Sequence, residues 1–224
     1  MSQVALNASL SGEVHRSGVG DEAFATMRGG AGTGHDNTSA QADIVFLRDG
    51  GNTDTYNFLV RGYFLFPTSG LIPANATISS VTLTCTGYAV TNALGGSAEI
   101  VSAIPTSDSS LVNGDYALSH FGSTKLATGI NFTSLNAAGT STFTFNASGI
   151  SLVQTAVTAQ DLVRIGMMSN FDVDNSAPAY VSTNSSSGWS IYQVPQADSS
   201  IPKLTITYTA PTSGASFLTK MIGL

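Results

Sequence analysis

The chain has 224 residues, 42% of them hydrophobic and 10% charged, and 14 acidic against eight basic residues leave a formal net charge of −6. The basic residues are nowhere clustered, so a phosphate backbone finds nothing to hold and nucleic acid is not an expected partner. A single cysteine excludes a disulfide framework within the monomer, and no segment is long and apolar enough to cross a bilayer, so no membrane partner is expected either.

A chain of this size can bury a real core as one all-β domain. Ser, Thr, Asn and Gly fill the polar positions that Glu, Lys, Arg and Ala fill on helix surfaces, a composition that suits pleated strands and turns. In chain order, strands are predicted over residues 3–9, 23–28 and 41–48. The run from Phe58 to Phe66 is apolar at both parities, which predicts a central strand buried on both faces. Pro67 and Pro73 cannot donate to a ladder, so a loop follows. Over 78–88, Val81, Leu83 and Cys85 alternate with Thr82, Thr84 and Thr86, giving one dry face and one wet one, with Cys85 as a buried thiol.

Further strands are predicted at 98–104 and 141–146, the latter with Phe143 and Phe145 opposed to Thr142 and Thr144. "SGISLVQTAVTAQD" allows one short helix, with Ser148 as N-cap and Ile150, Val153 and Val157 on one face. Strands at 162–169, 188–193 and 203–209 complete the set, the last turning Leu204, Ile206 and Tyr208 inward. About ten short strands between long polar loops predict a single jelly-roll β-sandwich over residues 1–209. Phe64, Phe66, Leu83, Phe143, Phe145, Leu204 and Ile206 should share its core. Pro211 and Gly214 then break the chain, leaving residues 210–224 as a C-terminal arm.

The stretch "RGYFLF…SGLIPANATISSVTLTCTGY" resembles the segment of disaggregatase-related (DNRLRE-type) β-sandwich modules in which an aromatic strand, an Ile-Pro-x-x-Ala-x-Ile loop and a second strand follow one another. "PKLTITY" at 202–208 is similar to their closing Pro-x-Leu-x-Ile-x-Tyr strand. "DYALSHFGST" and "FNASGI" resemble segments of this module type in phage structural proteins. The resemblance covers about residues 20–209 and implies a jelly roll of the carbohydrate-binding kind. In it, Pro73 and Ala76 would steer the chain across the end of the sandwich and Ile78 would plug the core. These motifs define a core and its loops, not a chemistry.

The sequence offers no catalytic constellation. His15, His35 and His120 stand in "VHR", "GHD" and "SHF" with no nucleophile-elbow motif, no pair of carboxylates is placed across a substrate, and no ligand spacing for zinc exists. No enzyme activity and no cofactor are expected. Two loops carry oxygen donors that suit calcium: Asp172 and Asp174 beside Asn175, and Asp49 with Asp54 in a Gly-rich turn. The alternative is that Asp and Asn simply favour turns. For a glycan, Trp189, Tyr192 and Tyr180 are the candidate platforms, against the alternative that rings at strand ends cap the core.

The N-terminal "MSQVALNASLSGEV" has neither a basic nor an apolar signal region, whereas the Thr-, Ser- and Asn-rich composition resembles that of extracellular adhesins. A phage structural protein, made in the host cytoplasm and released by lysis, fits both, as does a secreted chain with its signal removed. Two readings follow: a virion protein that decorates a capsid or belongs to a tail, touching copies of itself and other virion proteins, or an extracellular carbohydrate-binding module. In the arm, Phe217, Leu218, Met221, Ile222 and Leu224 make one apolar stripe, too short to hold a helix alone. It is expected to dock on a neighbouring subunit or another virion protein, the alternative being its own sandwich.

Overall fold

The computed structural model describes residues 1–194 and 200–211; the arm's Phe217, Leu218, Met221, Ile222 and Leu224 lie outside the described residues. In chain order the strands are β1 (Ser2–Asn7), β2 (Leu10–Ala23), β3 (Gly34–Asp36), β4 (Gln41–Asp49), β5 (Thr55–Pro67), β6 (Thr77–Asn92), β7 (Ser97–Ser102), β8 (Ile130–Asn131), β9 (Thr140–Thr144), β10 (Leu162–Ser169), β11 (Ser186–Tyr192) and β12 (Lys203–Thr209). The helices are α1 (Phe24–Gly29), α2 (Ala147–Ala159) and α3 (Asn170–Val173). The protein is all-β, one curled antiparallel sheet in the order β1-β12-β6-β11-β4-β5-β10-β7-β8, with β2 against β5, β3 against β2 and β9 against β6.

Two long strands curl the sheet by changing partners along their length. β5 pairs with β4 from Tyr56 to Val60 and with β10 from Gly62 to Pro67, so the sheet forks at Arg61. β6 pairs with β12 and β9 over its first half and with β11 over its second. The fork needs Gly62, because a Cβ there would lie 2.4 Å from Ile44 Cγ1 and 2.6 Å from the Ile44 carbonyl.

Both faces of β5 are buried, as its double-sided apolar pattern requires. Phe64 and Phe66 enter the main core with Val81, Leu83 and Cys85 of β6, Phe143 and Phe145, and Leu204 and Ile206 of β12. The seven residues expected to share a core therefore do so. Leu59, Tyr63 and Leu65 face a second core with Leu10, Val14, Phe24, Met27 and Tyr116. Ala76 and Ile78 are buried in the main core, and the Ala76 amide bonds to the Pro73 carbonyl at 2.9 Å, closing the turn that the loop sequence suggested.

Three local readings are corrected. From residue 24 the segment predicted as a strand over 23–28 is the helix α1: Phe24 and Met27, three apart, bury on one side of a helical turn, where a strand would send them to opposite faces. The N-cap of α2 is Asn146, two residues before Ser148; its Oδ1 accepts from the Gly149 amide at 3.1 Å. The long β2 carries little periodic signal, with Gly18 and Gly20 at φ of 69° and 88° where its register shifts between Ser17 and Glu22. It is a strand because β5 offers it an edge from Leu65 to Thr55.

Candidate functional site

The structure separates the residues singled out for chemistry and gives most of them architectural work. Trp189 is fully buried, packs 6.2 Å from the Phe143 ring and donates Nε1–H to the Asn136 carbonyl at 3.1 Å. It is a core residue with no face for a sugar, because the strand parity of β11 turns it inward beside Ile191, both in the main core. Tyr192 and Tyr180 are both half-buried, and the Tyr180 hydroxyl meets Thr183 Oγ1 at 3.4 Å.

Asp172, a candidate calcium ligand beside Asp174, is fully buried beneath two guanidinium groups. Arg61 Nε reaches its Oδ2 at 2.6 Å and Nη2 its Oδ1 at 3.0 Å, while Arg28 Nε stands 3.1 Å from Oδ1. Two positive charges on one carboxylate exclude a cation. Asp174 points elsewhere, to Lys125 Nζ at 2.9 Å. Arg61 is itself fully buried, donates to the Tyr116 and Arg28 carbonyls, and lies 4.1 Å over the Tyr116 ring. Of the second loop, Asp49 is buried and its Oδ2 takes the Val181 amide at 2.9 Å. Burial, with the charges of Asp49 and Asp54 beside it, pushes the Tyr56 phenol up to about 12. Among the described residues, no group of three His, Cys, Asp or Glu side chains is placed to hold a metal ion.

Each histidine has a local partner. His15 Nδ1 lies 3.0 Å from both oxygens of Glu13, whose carboxyl is raised above its ordinary value by burial; the Glu13 hydrogen bond raises the imidazole. His35 Nδ1 meets Asn113 Oδ1 at 2.7 Å, and His120 Nδ1–H donates to the Ile104 carbonyl at 2.6 Å. Among the described residues, no hydrogen bond joins any of the three to a hydroxyl or thiol, so no nucleophile–base pair is assembled.

Two surface features remain. On one face, Tyr88, 54% exposed, meets Tyr192 edge-on at 5.9 Å beside Asp43, Gln41 and Ser190, around a shallow depression of about 300 Å³. The ladders shift on both sides of Ser190, leaving Ile44 and Tyr88 as extra residues in β4 and β6. Such bulges re-aim side chains, and here they bring Tyr88 and Asp43 to the same outer surface. Ser190 Oγ donates to Asp43 Oδ1 at 2.5 Å. The sequence did carry a signal for Tyr88, a large ring at the wet parity of the Thr82-Thr84-Thr86 series.

The second feature is an open groove of about 420 Å³ between α2 and the strands β7 and β10. Leu152, Ala156, Ala159, Leu162 and Ile104 make it apolar. Ile104 is 67% exposed, yet its backbone is clamped to His120 through the amide at 2.8 Å and through the carbonyl that His120 Nδ1 reaches. At the rim, Arg164 is shared by Asp108 (2.8 Å) and Asp161 (2.9 Å), and these bonds raise the guanidinium and lower both carboxyls. The groove was not legible beforehand, because it joins the outer flank of a helix to a strand end from another part of the chain. No protein-family model matches the chain, and no curated protein matches it.

Proposed function

We propose that the chain is a non-enzymatic structural protein of a bacteriophage particle, a capsid-decorating or tail component built on a jelly roll of the DNRLRE type and working through contacts with copies of itself and other virion proteins. The observation that carries this reading is the apolar groove on α2, rimmed by a fixed ion-pair cluster and left uncovered among the described residues. An apolar depression with a polar rim is the anatomy of a protein contact. Each histidine and each of the buried carboxylates Glu13, Asp49, Glu99, Asp115 and Asp172 has a hydrogen-bond partner within the protein, Asp49 through Oδ2 alone. The residue resemblance and the adhesin-like composition supply the virion context. Quantitative mass spectrometry of purified particles tests it: the chain should be present in a fixed, multi-copy ratio to the major capsid or tail protein, and its absence from particles would overturn the reading.

A second reading, an extracellular carbohydrate-binding module, is favoured by the Tyr88–Tyr192 pair beside Asp43 and Gln41. A phenol face for a sugar ring and a carboxylate for its hydroxyls are the groups such a ligand takes. Titration with an oligosaccharide panel should then show saturable binding that Tyr88→Ala abolishes and Tyr180→Ala leaves intact; no binding across the panel removes this reading.

A further inference from the structure

We propose that the groove between α2 and the β7–β10 edge receives residues 217–224 of a neighbouring copy of this chain. The inference rests on the self-assembly reading above and names the surface and segment that would serve it. The groove asks for an apolar occupant: Leu152, Leu162 and the exposed Ile104 line it, with the small Ala156 and Ala159 leaving room between them. The chain carries such an occupant outside the described residues, since Phe217, Leu218, Met221 and Ile222 recur at helical spacing, with Leu224 beyond. The length of α2 that borders the groove, Ser151 to Ala159, is about 12 Å at 1.5 Å per residue, and the segment 217–222, if wound as a helix, would span about 8 Å by the same rise. Charge agrees as well. The rim sets two carboxylates, Asp108 and Asp161, against one guanidinium, Arg164, and Lys220 is the one charged side chain in residues 217–224.

Geometry favours a neighbour's arm over the chain's own. The described chain ends beside the first residues of β6: Thr209 pairs with Thr77, and the next residue, Ile78, takes the Gln154 side chain of α2 at 2.9 Å. Gln154 and the groove-lining Thr155, Ala159 and Leu152 lie on different flanks of α2, so the helix stands between the chain end and the groove. From Pro211 to Phe217 the chain reaches about 20 Å fully extended. Passing about a third of the way round a helix about 10–12 Å across takes about 12 Å of that, before the gap from Pro211 to α2 is crossed. The chain's own arm would have about 8 Å left for that gap, whereas an arm arriving from another copy is free of this constraint.

Cysteine pairing tests it. Cys85 is fully buried, with its thiol pushed up by burial, and does not compete. Thr155→Cys on the groove wall and Lys220→Cys in the arm are placed on separate full-length chains, mixed and mildly oxidised, and also combined in one chain. The expected result is a covalent dimer from the mixture, reduced at least tenfold when Ala159→Trp fills the groove. Linkage only within the doubly substituted chain overturns the neighbour's arm as occupant, and no linkage in either arrangement overturns the groove as receptor. The count of copies in particles is read separately. Stoichiometric chain without cross-link discards the groove and leaves the virion reading standing; cross-linked dimers with no chain in particles do the reverse.

Discussion

The two faces of β5 hold the protein together by different means. Toward the main core the strand presents Phe64 and Phe66 to side chains from strands on the opposite side and from α2, an interior without charge. Toward the second core it presents Leu59, Tyr63 and Leu65, but also Arg61, fully buried with Asp172. Strands and α2 cover most of the first face, their backbone groups satisfied largely in ladders and helix, with Trp189 Nε1–H supplying the loop carbonyl of Asn136. The second is covered by α1, α3 and irregular chain around Tyr116, whose carbonyls need donors from elsewhere. Arg61 and Tyr63 supply them: Arg61 donates to the Tyr116 and Arg28 carbonyls, and the Tyr63 hydroxyl donates to the Asp115 carbonyl at 2.8 Å. A face closed largely by loops draws on a buried charged pair, where a face closed largely by sheet and helix draws mainly on shape.

If that contrast is correct, the two cores should fail differently. Asp172→Ala should cost about 3–5 kcal/mol, because it strands Arg61 in the interior, and Asp172→Leu should cost no less since shape is not what was lost. Chemical denaturation checks this, and a loss below 1 kcal/mol, on the order of an exposed ion pair, would show the charge to be solvated. In the main core, Phe143→Ala should also cost about 3–5 kcal/mol, through transfer and cavity together, and there a large apolar replacement should recover most of it. Equal recovery by an apolar residue at Asp172 would erase the distinction.

Smaller effects sharpen the comparison. Tyr63→Phe keeps the ring and leaves the buried Asp115 carbonyl without its donor, an expected loss of about 1–3 kcal/mol by the same measurement. The smallest effect is a pH dependence at the edge of the second core. His15 is raised above 6.5 by its Glu13 hydrogen bond, so its contribution is present in full below 6.5 and is lost as pH rises through the folded value. Glu13 is raised above 4.5 by burial, which acts in the same direction, disfavouring the folded state as its carboxyl ionises. Melting temperature should therefore fall as pH is raised above 6.5, and His15→Gln should flatten that fall; a rise with pH above 6.5 would reverse the assignment.

The element types were largely legible, because period-two alternation with Thr on the wet side survives any tertiary arrangement. Phe143 and Phe145, Leu83 and Cys85, and Leu204 and Ile206 could be placed inward from their neighbours alone. The candidate surfaces were read less well. Trp189 looked like a platform because composition marks it as rare, and only the register of β11 between β4 and β6 decides that it faces in. Asp172 looked like a cation ligand because Asp at two-residue spacing suits one, while its actual partner is Arg61, 111 residues earlier.

What the chain determined by itself is the all-β character, the doubly buried β5, the inward parity of its strands and the place where the last described strand, β12, ends. These depend on side-chain periodicity and on residues that cannot donate or cannot bend, which act locally. Tertiary structure decided that "FATMRG" is a helix, that the signal-poor β2 is a strand, that Asp172 lies under Arg61, and that the end of β7 with Ile104 closes an apolar groove beside α2. Each of these depends on a partner far along the chain, an edge to pair with or a surface to bury against, and a local pattern holds no record of how far away its partner is.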